Sequence, residues 1–175
     1  MAKVLILYST VDGHTKKICL KIKSVAERYG HEVKLVSIDD AILEGIDGFD
    51  KIVVGASIRY GKHSKKVFDF VTRNEKILEE KVSAFFSVNV VARKPDKNKP
   101  DNNPYVIKFL KRVSWKPDEV AVFAGKIDYQ KYSFLDRLVI RLIMYITKGP
   151  TNSKAVAEFT NWEQVEEFGK DISEM

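Results

Sequence analysis

Cysteine is almost absent from this sequence, and its scarcity is the first constraint. The single cysteine, Cys19, has no disulfide partner, which fits a reducing compartment and a small buried side chain. No apolar run approaches the ~20 residues that span a bilayer. The five apolar residues after Met1-Ala2-Lys3 are too few for a secretory leader, so a cytoplasmic protein is expected. Two phosphate-binding patterns are missing as well. Gly13 stands alone where dinucleotide folds use three glycines, and no Lys-Ser or Lys-Thr pair follows it. The stretch from Gly55 to Lys62 has one residue too many between its glycines for a triphosphate loop, and His63 stands where Ser or Thr belongs. No nucleophile, acid pair or metal-ligating cluster stands out, so any redox chemistry must come from a bound cofactor.

What is present is the material of one domain, residues 1–175, with 45% hydrophobic and 31% charged residues. Charge is uneven along it. Thirteen Lys and Arg against six Asp and Glu fall between Asn89 and Lys148, a net +7, whereas the rest of the chain sums to −1. Such a block suits nucleic acid, anionic lipid, acidic small molecules or plain solvent exposure. No nucleic-acid reading motif accompanies it, and its aromatics sit at helical spacings, so nucleic acid is not expected as a partner.

Apolar runs alternate with helical periodicity. Val4 to Tyr8, Lys51 to Ala56, Val82 to Val88 and Val120 to Gly125 read as buried strands, and His31 to Val36 alternates as an edge strand would. Between them lie helices marked by Ile18, Ile22 and Val25, by Val67, Phe68, Val71 and Leu78, and by Tyr105, Phe109, Leu110 and Val113 ending near Trp115. Residues 39–45 allow a short helix, and Thr160 to Glu163 has capping-box spacing before a last helix carrying Val165, Phe168 and Ile172. This pattern implies an α/β fold, a doubly wound five-stranded parallel sheet with helices on both faces. Ligands of such sheets bind beyond the strands' carboxyl ends, at the topological switch point.

Three loops would meet there. Ser9, Thr10, Val11, Asp12, Gly13, His14 and Thr15 join a strand to a helix start, where unpaired backbone N–H groups and the helix dipole favour an anion. An ordinary strand-to-helix turn would share these features. Hydroxyls without a lysine suit the single terminal phosphate of flavin mononucleotide (FMN). Ser57, Ile58, Arg59, Tyr60 and Gly61 form the second loop, and Val88, Asn89, Val90 and Val91 lead into the third. Ile58, Tyr60 and Val90 are placed to flank a flat ring, so a flavin fits the trio better than a phosphate alone.

One segment exceeds what the sheet needs. Within an inserted basic and apolar stretch of about 126–155, residues 133–147 are apolar around most of a helix, edged by Asp136, Arg137 and Arg141. Such a helix is either an extra core element or an interfacial helix. Its wide apolar arc and basic flank favour a membrane surface or a lipophilic ligand, with Phe134, Leu138, Arg141, Leu142, Tyr145 and Ile146 as contacts.

The cradle with Thr10, Gly13 and Thr15, together with the alternating pattern, resembles the flavodoxin family. The stretches Ser9-Thr10-x-Asp12-Gly13-x-Thr15, Gly55-Ala56-Ser57-Ile58-Arg59-Tyr60-Gly61, Ser87-Val88-Asn89, Val91-Ala92-Arg93-Lys94-Pro95 and Trp162-Glu163-Gln164-Val165 are similar to a narrower group. These stretches and the extra apolar helix resemble the bacterial menaquinone-dependent protoporphyrinogen IX dehydrogenase family. The resemblance implies FMN as cofactor and oxidation of protoporphyrinogen IX to protoporphyrin IX in heme biosynthesis. It further implies a membrane quinone, menaquinone or ubiquinone, as acceptor, and peripheral attachment to the inner face of the cell membrane. Arg59, Arg93 or Lys94 would receive the substrate's propionates. A non-enzymatic flavodoxin-type electron carrier is the alternative, though the acidic surface usual in such carriers is missing at a sequence pI near 9.2.

Overall fold

The computed structural model describes residues 1–41 and 45–175. The short helix expected over 39–45 falls partly, at 42–44, on residues outside these. Strands β1 (Lys3–Ser9), β2 (Glu32–Ser37), β3 (Lys51–Arg59), β5 (Val82–Asn89) and β6 (Glu119–Ala124) form a parallel sheet in the order β2-β1-β3-β5-β6. The chain reverses its direction of winding beside β1, which places the switch point between β1 and β3.

Period-two alternation sends neighbouring side chains to opposite faces. Leu5, Leu7 and Val54 meet Val67, Val71 and Leu78 of α2 (Lys65–Glu80) and Phe109 of α3 (Pro104–Arg112) on one face. Val4, Ile6 and Val53 meet Ile18 and Ile22 of α1 (His14–Arg28), and Val165, Phe168 and Ile172 of α5 (Trp162–Glu174), on the other. Cys19 is buried in this second layer, where desolvation pushes its thiol far up from its ordinary value and keeps it unreactive.

Four local features depart from the sequence reading. Residues 57–59, expected as loop, continue β3, because Ile58 and Arg59 pair with His63 and Lys62 of a short antiparallel strand, β4 (Lys62–His63). Tyr60 and Gly61 close that hairpin, both at positive φ (50° and 73°), the backbone that tight two-residue hairpins use. Helix α3 stops at Arg112, and Trp115 beyond it is a core residue whose Nε1 donates to Ser83 Oγ at 3.0 Å. Asn161, not Thr160, caps α5, its side chain accepting from the amides of Glu163 and Gln164.

The fourth departure is a small hairpin, β7 (Lys126–Asp128) with β8 (Val156–Glu158), at the base of the inserted segment. Above it α4 (Phe134–Ile146) is anchored by a separate apolar cluster of Ile127, Tyr129, Tyr132 and Met144. Met144 is the helix's one buried residue, whereas Phe134 (72%), Leu142 (60%), Tyr145 (75%) and Ile146 (70%) stand exposed. The helix is therefore no core element.

Candidate functional site

At the carboxyl ends of β1, β3 and β5 lies a cavity of about 430 Å³. Every residue of the three loops named as a cofactor contact lines it except Ser9, which ends β1 and accepts a 3.4 Å hydrogen bond from Ser57 Oγ through its carbonyl.

The first loop is shaped by Gly13, the residue before α1, whose φ of 84° turns the chain into the helix. Its N–H donates to Thr10 Oγ1 at 3.0 Å. Thr15, the second residue of α1, is fully buried, and its hydroxyl has no hydrogen-bond partner in the protein. A buried hydroxyl left unpaired beside a helix start is a donor placed for a ligand phosphate oxygen. His14 is tied to the segment before α5, its Nε2 lying 2.7 Å from Thr160 Oγ1, and burial holds its pKa below the ordinary histidine value.

The other two loops are joined beneath the cavity by buried polar groups. His63 Nε2 lies 2.8 Å from Ser87 Oγ, which also accepts from Asn89 Nδ2 at 3.2 Å. Asn89 Oδ1 accepts from the Ala92 amide at 3.1 Å and from Asn103 Nδ2 at 3.0 Å, fixing the tight turn from Val90 to Arg93. Ile58 and Tyr60 thus stand on a rigid hairpin, and Val90 and Val91 on a rigid turn.

Not all of the expected substrate contacts converge. Arg59 lines the cavity, but Arg93 and Lys94 do not. The Arg93 guanidinium donates to the carbonyls of Val90 and Thr147 and to Thr147 Oγ1, and so braces the end of α4. Phe134, Leu138, Arg141, Leu142, Tyr145 and Ile146 point away from the cavity and are exposed. The inner face of α4 was missed: Ile140, Ile143 and Met144 line the cavity, as do Lys126, Lys131 and Tyr132 from the same segment and Lys17 and Tyr105 from α1 and α3. The wide apolar arc of α4 was the available signal, since a helix apolar on nearly every side has one face free to cover something else. Among the described residues Lys126 and Lys131 make no ion pair, so the cavity's outer wall is cationic.

A strand-to-helix loop with an unpaired buried hydroxyl, a slot between two apolar walls and a switch-point position together have the form of a flavodoxin-type domain. A family profile described as Flavodoxin domain matches residues 5–154. A protoporphyrinogen IX dehydrogenase (quinone) of Escherichia coli K12 is 38% identical over 173 residues, 99% of this chain and 96% of that one. A protein of the same name from Leishmania major is 41% identical, covering 98% of this chain and 74% of its own length. Solved structures of an archaeal flavodoxin (TM-score 0.59, 16% identity, 98% and 96% of the two chains) and of Megasphaera elsdenii flavodoxin (0.61, 15%, 98% and 99%) share the fold. The chain belongs to the flavodoxin-domain family, in the group of the quinone-dependent protoporphyrinogen IX dehydrogenases.

Proposed function

We propose that this protein is an FMN-dependent dehydrogenase that oxidises protoporphyrinogen IX to protoporphyrin IX, with menaquinone or ubiquinone as acceptor, as a step of heme biosynthesis. The observation that carries the reading is that similarity to relatives of that name runs the length of the chain, through the inserted roof as well as the flavodoxin core. FMN, when bound, supplies the two-electron chemistry, used three times per tetrapyrrole and balanced by three quinones becoming quinols.

The chain's own groups bind and orient. The hydroxyls of Thr10 and Thr15 and the first amides of α1 hold the phosphate, where the helix dipole favours negative charge. Ser57, Ile58, Tyr60 and Gly61 take one side of the ring, and Val88, Asn89, Val90 and Val91 the other. Ile140, Ile143 and Met144 exclude water and offer a flat apolar surface to the tetrapyrrole. Arg59, Lys126 and Lys131 make the entrance attractive to its propionates. The electron-carrier alternative is disfavoured by this cationic, roofed entrance, which would repel the basic partners such carriers dock on.

The outer face of α4 suits the cytoplasmic surface of an anionic membrane. Leu138, Leu142, Tyr145 and Ile146 would enter the acyl boundary, with Arg141 and Lys148 at head-group level. No helix among the described residues is long and apolar enough to cross a membrane, so attachment would be peripheral. Flavin content tests the cofactor assignment. Titration of flavin-free protein with FMN should quench flavin fluorescence to a sharp end point at one per chain, and absence of saturable quenching would refute it.

A further inference from the structure

Among the described cations of the cavity wall, Arg59 alone meets two carboxylates. Its Nη1 donates to Asp12 Oδ2 at 3.2 Å and its Nη2 to Asp136 Oδ2 at 3.1 Å, while its guanidinium carbon lies 5.0 Å from the Tyr132 ring centroid and 5.5 Å from that of Tyr60. Each carboxylate takes one nitrogen. Neither therefore forms the two-bond fork that a guanidinium makes best with a carboxylate.

The two partners are held differently. Asp12 sits in the short first loop, fixed by the bond between Thr10 and Gly13. Asp136 belongs to the first turn of α4, the cavity roof. That helix is tied to the sheet's loops near each end by one arginine, Arg59 to Asp136 at the start and Arg93 to Thr147 at the finish, while its own Arg137 holds it only to the carbonyls of Tyr129 and Tyr132 in the segment that leads into it. In between, only Met144 is buried.

We propose that Arg59 is the receptor for a substrate carboxylate and that Asp136 is its resident competitor. A propionate entering the cavity replaces Asp136 on Arg59, and the start of α4 is released as it does so. The inference rests on the proposed function, and it adds the exchange of carboxylates at Arg59 and the loosening of α4 that accompanies it. One carboxylate exchanges for another, so the charge around Arg59 is conserved and no partly buried cation is left unpaired. Asp136 remains favourable after release, because an anion in the first turn of a helix is stabilised by the dipole. The tyrosine rings beside the guanidinium continue the apolar wall toward the cavity, where the body of the ligand would lie.

The test uses the FMN-loaded protein with protoporphyrin IX and its dimethyl ester as probes, each followed by porphyrin fluorescence, together with hydrogen–deuterium exchange over 134–146. Removing the competitor in Asp136→Asn should tighten the diacid about fivefold, the worth of a partly exposed ion pair, and leave the ester unchanged. The same variant should exchange α4 amides faster without any ligand, and the diacid should speed exchange in the wild type. Arg59→Gln should weaken the diacid toward the level of the ester. Equal diacid affinity and equal α4 exchange in wild type and Asp136→Asn would overturn the proposal, as would a wild type that binds neither probe. A wild type that binds the diacid yet never dehydrogenates porphyrinogen would instead refute the proposed function and leave this site standing.

Discussion

The hydroxyl of Thr160 donates to the carbonyl of Ala124 at 2.6 Å, so its 2.7 Å contact with His14 runs from the imidazole Nε2–H to the Thr160 oxygen. Thr160 thereby sets the tautomer of a residue in the first cavity loop, the proposed phosphate cradle, leaving Nδ1 bare while His14 is neutral. Replacing Thr160 by Val removes the acceptor and frees the ring. FMN affinity should fall about fivefold at pH 7.5, the scale of one hydrogen bond, as read by fluorescence titration. An unchanged affinity would detach His14 from the cradle.

Thr15 offers a cleaner contrast. Its hydroxyl is buried without a partner, so Thr15→Val removes an unsatisfied group and keeps the shape. The flavin-free protein should unfold in urea at the same concentration or a higher one, by up to about 1 kcal/mol, while FMN binding weakens about tenfold. Loss of stability without loss of FMN affinity would mean that the hydroxyl serves the fold.

His63 gives the protein an acid-sensitive element beneath the site. Burial among Phe68, Phe85 and Phe109 pushes its pKa down to about 4 from an ordinary 6.5. In the window between these values the unfolded chain binds the proton and the folded chain resists it, so this contribution is complete above pH 6.5 and drains away as pH falls toward 4. The difference is on the order of 3 kcal/mol at ~1.4 kcal/mol per pH unit. Urea unfolding at a series of pH values should show a steeper acid loss in the wild type than in His63→Gln. Parallel profiles would contradict it.

Most of the fold was visible in the residues because parallel strands buried on both faces are written as unbroken apolar runs such as Val4-Leu5-Ile6-Leu7. The hairpin of β7 with β8 was not, since strands of three residues carry no period to detect. Thr160 and Asn161 are both competent caps, and the choice fell to Asn161 because Thr160 is engaged by His14 and Ala124 across the chain. Arg93 reads as a propionate contact because its actual partner Thr147 lies 54 positions away, and no local pattern announces such a bond. The loops that form the cavity floor were legible from local chemistry, whereas its roof depends on which side of α4 turns inward.

The outward side of that helix makes its own prediction. Leu138, Leu142 and Ile146 are exposed, so changing all three to Gln removes no core contact, and the thermal midpoint and FMN content should stay within error of the wild type. Sedimentation with vesicles rich in anionic phospholipid should fall at least tenfold, since each apolar side chain contributes roughly 1 kcal/mol or more on burial. For the wild type, added salt should weaken sedimentation partly and leave a residue from apolar burial. Wild type that never sediments would end the membrane reading.

The most direct test of the whole account is anaerobic turnover. FMN-loaded protein mixed with protoporphyrinogen IX and a short-chain quinone should generate porphyrin fluorescence together with three quinols per porphyrin, and neither product should form when FMN or quinone is withheld. Flavin that binds and cycles with a chemical reductant, but leaves porphyrinogen untouched in the presence of quinone, would contradict the dehydrogenase assignment and return the protein to the electron carriers.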